Sequence, residues 1–181
     1  MFPGRKTSYN PLTFQSRPGP VMVRPMHDSP HTLVIGCGNR LCGDDAAGPE
    51  LIRLLLSRGL PAGMRCLDAA TDGVAVIEAM RHVPSVILVD ACAAGAEPGT
   101  ILELTGADVE TPPPGGVSVH AIRWNHALVL ARQLLGPAYP PRVAIRLIAG
   151  KAFEPGDALS PAVGKAIERL ADQIVAHVAV A

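Results

Sequence analysis

The sequence predicts a three-layer α/β/α domain built on a twisted, mostly parallel five-stranded sheet with one antiparallel strand. Three observations carry this. Short, β-branched apolar runs alternate with helical stretches from His31 onward. The first two strand, helix, strand units follow each other directly, and right-handed crossovers make their strands parallel. After the third strand the next connection is too short for a packed crossover helix, so the chain must turn back on itself.

The elements follow in order. Thr32-Leu33-Val34-Ile35 reads as a buried strand, and the glycine loop from Gly36 to Gly48 leads into a helix opening at Pro49, a residue tolerated only in a first turn. Asp44 and Asp45 fall where that helix starts, a place for carboxylates that cap free N–H groups. Arg65-Cys66-Leu67 is a short second strand ending at Asp68, and Gly73 to Met80 is a second helix with Val76, Ile77 and Met80 on one face. Ser85 to Val89 is the clearest strand and ends at Asp90, giving the local order second, first, third. Thr100 to Leu104 returns antiparallel. The loop Thr111 to Gly116, rich in proline and glycine, excludes regular structure, and Ser118 caps a third helix running to Leu135. Arg142 to Ile148 is the fifth strand. Ser160-Pro161 opens the last helix, whose buried stripe is Val163, Ile167, Leu170, Ile174 and Val178.

Composition limits the partners. The 181 residues fit one domain, and with 3% aromatic residues its core has to be aliphatic. Lys+Arg and Asp+Glu balance at 16 each, which leaves no electrostatic footprint for nucleic acid or an anionic membrane. The four cysteines, at 37, 42, 66 and 92, fit reduced thiols and a cytoplasmic location better than a disulfide framework, and Cys37 and Cys42 lack the spacing of a structural zinc site. Residues 1–30 hold six prolines without the apolar core of a secretory signal and read as a disordered or peripheral leader. Met22 and Met26 are alternative starts, and 31–181 forms the single domain. No stretch approaches the roughly 20 apolar residues of a membrane span.

In open α/β sheets, ligands bind beyond the carboxyl ends of the strands, where strand order reverses. Asp45 follows the first strand, Asp90 closes the third, and His120 opens the helix after the proline loop, so three distant residues can converge there. Two carboxylates and an imidazole suit nickel, zinc, manganese or iron, and could equally form an acid/base pair with an orienting histidine. The bland alternative is a cap, a strand-end carboxylate and a surface histidine. Gly36-x-Gly38 alone is a weak dinucleotide fingerprint, because Leu41 replaces its third glycine and two acids stand where phosphate would sit.

The stretch Gly36-x-Gly38-Asn39-x-Leu41-x-x-Asp44-Asp45-x-x-Gly48 resembles the opening motif of the [NiFe]-hydrogenase maturation endopeptidases. The similarity continues through Leu88-Val89-Asp90-Ala91, Ser118-Val119-His120, Phe153-Glu154-Pro155 and Leu159-Ser160-Pro161. By resemblance, Asp45, Asp90 and His120 are the catalytic and metal-contacting residues. The activity implied is aspartic-type, metal-recognising removal of a C-terminal extension from the hydrogenase large-subunit precursor after nickel insertion. The nickel then belongs to the substrate, the enzyme needs no cofactor of its own, and it works as a monomer without nucleic acid or membrane. A chaperone that recognises the loaded subunit without cutting it is the alternative. One departure stands out: Asp68-Ala69-Ala70-Thr71-Asp72-Gly73 replaces the Asp-Gly-Gly-Thr-x-Gly often found in that family, and alanine resists positive φ. Asp44 is read as a cap or supporting acid, His126 as structural because it lies off the helical face of His120, and Asn39 as a residue that fixes its own loop.

Overall fold

The computed structural model describes residues 31–93, 95–109 and 124–180. Its elements are β1 (Thr32–Cys37), α1 (Ala47–Arg58), β2 (Met64–Ala70), α2 (Gly73–Met80), β3 (Ser85–Cys92), β4 (Ile101–Thr105), α3 (Trp124–Leu135), β5 (Arg142–Ala149) and α4 (Pro161–Val180). The sheet order is β2-β1-β3-β5-β4. β1, β2, β3 and β5 are parallel, and β4 pairs antiparallel with β5 at the edge.

Both faces of the sheet are covered, which is why β1 reads as a continuous apolar run rather than an alternating one. Leu33 and Ile35 of β1 and Val86 and Leu88 of β3 face α2 and α3, where Val76, Met80, Leu128 and Leu135 close the layer. Val34, Ile87 and Ile148 face the other way, against Leu51, Ile52 and Leu55 of α1 and Val163, Ile167 and Leu170 of α4. Both layers are aliphatic, as the low aromatic content requires. α1 lies close to β1 because Gly48 has no side chain: a Cβ there would run into the backbone of Cys37 and Val89.

The ends of two strands differ from the sequence reading. β2 runs on past Asp68 to Ala70, and β3 runs past Asp90 to Cys92. The apolar runs are shorter than the strands because the last residues of each are polar or small, and Ala70, Asp90, Ala91 and Cys92 line a cavity. The third helix is described only from Trp124; Ser118, the cap proposed for it, lies outside the described residues, as do the leader and the 111–116 loop.

Candidate active site

β1 and β3 run side by side from Thr32↔Ser85 to Gly36↔Val89, and there their pairing ends. Beyond that point β3 continues through Asp90 and Cys92 against Leu147 and Ala149 of β5, while β1 turns off at Gly38. Strand order reverses here, and a cavity of about 520 Å³ opens at the carboxyl ends of the strands, lined by Gly38, Asp45, Thr71, Asp90, Trp124 and Phe153 among others.

Asp45 and Asp90 both reach this cavity. Asp45 lies on a one-turn 3-10 helix, Gly43–Ala46, that precedes α1. Contrary to the expectation from sequence, neither this turn nor α1 has a side-chain cap. The Asp45 carboxylate turns back instead, and its Oδ2 accepts the N–H of Asn39 at 2.8 Å. Asp90 Oδ1 accepts the N–H of Ala91 at 2.8 Å. Gly38, at φ +126°, passes between the two acids. A Cβ there would overlap the Asp45 carbonyl and come to 3.2 Å from Asp90 Oδ1, so only glycine fits where the loop passes the backbone of one acid and the side chain of the other.

Asp44, its neighbour, is fully buried and faces away from the cavity lining. It accepts three backbone N–H groups from the strap between β5 and α4: Lys151 at 2.9 Å, Ala152 at 3.1 Å and Ser160 at 2.7 Å. Burial alone would raise its pKa, but the hydrogen bonds to the charged form outweigh it and hold the carboxyl below the ordinary aspartate value. Asp44 is therefore a structural anchor, in line with its reading as a supporting acid, although its target is a distant strap and not the local helix start.

The third wall comes from the end of β2. Pairing slips by one residue there, from Gly36↔Asp68 to Cys37↔Ala70, a bulge of the kind that re-aims a strand end beside a site. Ala70 takes φ +46° despite its methyl group, so the alanine that replaces glycine in this loop adopts the strained conformation instead of avoiding it. Its carbonyl accepts from Gly38 N–H at 2.8 Å, and its own N–H donates to Asp68 Oδ1 at 3.0 Å. Arg40 holds Asp68 from outside, with Nη2 at 2.8 Å from Oδ2, and joins Glu50 through Nη1 at 3.0 Å. Arg40 and Asp68 thus tie the glycine loop to the end of β2, a link between residues 28 apart that no local pattern announces. Asn39 fixes its loop as expected, its Oδ1 accepting the N–H of Leu41 at 3.0 Å.

His120 lies outside the described residues. Among the described residues no three His, Cys, Asp or Glu side chains form a metal-holding group. The cysteines are all free thiols. Spacing did not reveal that Cys37, Cys42 and Cys92 all line the cavity, because they come together only through the sheet. Burial, followed by the negative charges of Asp90 and Asp68, pushes the Cys37 thiol far up, so it carries no thiolate at neutral pH. No helix of the described residues is long and apolar enough to cross a membrane.

Two carboxylates are brought from separate elements to the switch point of a doubly wound sheet, the place where open α/β sheets bind their ligands. The hydrogenase maturation protease family model matches residues 49–177, and the chain belongs to that family. The matched stretch takes in Asp90 and His120 and starts beyond Asp45. The chain is 31% identical over 157 residues to the hydrogenase expression/formation protein HoxM of Azotobacter vinelandii, covering 80% of this chain and 74% of that one. Among solved structures, the hydrogenase maturating endopeptidase HybD from E. coli aligns with a TM-score of 0.66 and 26% identity over 81% of this chain and 91% of that chain. The [NiFe] hydrogenase maturation protease HycI from Thermococcus kodakarensis shares the fold, with a TM-score of 0.66 at 18% identity over 82% and 92% of the two chains.

Proposed function

We propose that this protease removes a C-terminal extension from the large-subunit precursor of an [NiFe]-hydrogenase once nickel has been inserted, and that Asp45, Asp90 and His120 read the nickel carried by that substrate. The observation that carries the reading is the placement of Asp45 and Asp90 in one cavity, separated by a residue that must be glycine. Carboxylate oxygens are suitable outer donors for an ion that another protein already holds, since two of them and an imidazole do not fill a coordination sphere. No metal of the enzyme's own is required.

Hydrolysis in this reading is of the aspartic type. A carboxylate takes a proton from water as the water oxygen bonds to the scissile carbonyl carbon, and the peptide nitrogen leaves with a proton. The protonated Cys37 thiol is consistent with water, and not this sulfur, as the nucleophile. The reaction belongs in a reducing compartment such as the cytoplasm, and the enzyme acts on the precursor as a monomer.

The test compares apo and nickel-loaded precursor with chelator-treated enzyme, weighing the products by mass spectrometry. Positioning can account for about 7–11 kcal/mol of a barrier, so a precursor without nickel should remain uncut. Equal cleavage of both substrates, or activity restored only by metal added to the enzyme, would overturn nickel recognition. Binding of the loaded precursor without any cleavage would favour the chaperone alternative.

A further inference from the structure

A second cavity, of about 820 Å³, opens at the amino ends of the strands, where Ser85 and Arg142, the paired first residues of β3 and β5, both line it. Asp90 stands five residues further along β3, about 17 Å away at the rise of a strand. Along β5, Arg142, Ala144 and Arg146 alternate onto one face of the sheet, the face on which Ala144 packs with the α1 and α4 layer. α4 begins beside Asp44 at the carboxyl end, through the N–H of Ser160, so its last turn arrives at the amino end. Leu170, Ile174 and His177 form one stripe of that helix and line the cavity, where buried Leu170, Ile174 and Ile87 supply an apolar floor.

The charges of this lining are one-sided. Arg132, Arg142, Arg146 and His177 face a single carboxylate, Glu103, and Arg146 holds it with Nη2 at 3.3 Å from Oε2. Asp108, close in sequence, is turned onto the N–H and hydroxyl of Thr105 at 2.7 Å. Arg142 and His177 make no hydrogen bond or ion pair among the described residues. A helix dipole favours a cation in the last turn of α4, but it does not account for an arginine on the facing strand. Residues 1–30 enter the sheet at this end with Arg5, Lys6, Arg17 and Arg24 against Asp28, the wrong sign to balance it.

We infer that this cavity is a second binding site, for a small organic anion whose carboxylate or phosphate is held by Arg142 and His177 and whose apolar body lies on Ile87, Leu170 and Ile174. Its volume is that of a site for a ligand of ordinary small-molecule size. A guanidinium presents paired N–H donors that match either headgroup, and an anion relieves the repulsion among cations gathered around one cavity. The cavity at the carboxyl ends, lined by Asp45, Asp72 and Asp90, repels the same ligand. No step of the proteolytic reading involves this site.

The experiment titrates the full chain by calorimetry with 2-naphthyl phosphate and 2-naphthoate, which place the two headgroups on one apolar body, and with uncharged 2-naphthol. At least one anion should bind, and the tighter of the two identifies the headgroup. Arg142→Gln should weaken that anion about tenfold at an unchanged thermal midpoint, because Arg142 is exposed, and His177→Glu should weaken it by about tenfold or more. 2-Naphthol should bind about tenfold more weakly than that anion. Arg65→Gln, at an exposed arginine of β2 on the far edge of the sheet, controls for net charge, and Asp90→Asn controls for the other cavity. Both should keep the affinity of the unsubstituted chain. No binding of either anion, 2-naphthol binding as tightly, full affinity in Arg142→Gln, or an equal loss in Arg65→Gln would each overturn the site.

Discussion

Asp44 and Asp45 are adjacent in the chain and serve two different regions. Asp44 faces the strap between β5 and α4, where three backbone N–H groups and no solvent surround it. Asp45 faces the cavity, half-buried, with the Asn39 amide on one oxygen. A 3-10 turn advances about 120° per residue, so consecutive side chains point apart. The comparison teaches that residue type and position in a motif do not settle a role: the same carboxylate is a structural anchor where amides enclose it and stays open to a cavity where its neighbour turns the other way.

The largest expected effect tests the anchored acid. Asp44→Ala removes the acceptor of three N–H groups, two from Lys151 and Ala152 and one from the buried Ser160, and should cost about 3–5 kcal/mol of stability, enough to threaten a domain stable by only about 5–15. Chemical denaturation measures it. Titration sharpens the same point. Asp44 has a folded pKa below its unfolded value, so its contribution is fully present above about pH 4 and is lost as pH falls through the folded value. Wild type should therefore lose stability on acidification below about pH 4, and Asp44→Asn should show a shallower loss over that window. A variant as stable as wild type would remove the distinction between the two acids.

The cavity acids should respond the other way. Asp45→Asn and Asp90→Asn should lower processing by about 10²–10⁴-fold while leaving the thermal midpoint close to wild type, because asparagine keeps the shape and an acceptor oxygen but not the charge. Rates of precursor processing beside calorimetry decide it. Asp45→Asn that processes normally would put Asp45 with Asp44 among structural residues.

The smallest effect concerns the wall that faces them. Ala70 at φ +46° carries strain of about 1–2 kcal/mol that glycine lacks, part of it offset by the greater freedom of glycine in the unfolded chain. Ala70→Gly should stabilise by up to about 1 kcal/mol in denaturant titration. A loss of stability would mean that the bulge does not strain the backbone there.

Much of this protein could be read from its residues in order. The alternation of apolar runs and helical stretches identified the elements, and the handedness of crossovers then determined the order of the first three strands, so the place where β1 and β3 diverge followed from topology. Asp45 and Asp90 were visible because one follows the first apolar run after its glycine loop and the other closes the third, both at that edge. Local signals could go no further, since hydrophobic periodicity reports which face of an element is buried and says nothing of which distant backbone a polar group will meet. That Asp44 holds amides more than a hundred residues away, that Arg40 clamps Asp68, that Ala70 accepts a left-handed backbone and that three cysteines line one cavity were decided by tertiary structure. Each depends on a close approach between segments remote in sequence, where packing and hydrogen-bond satisfaction override the preference of the single residue.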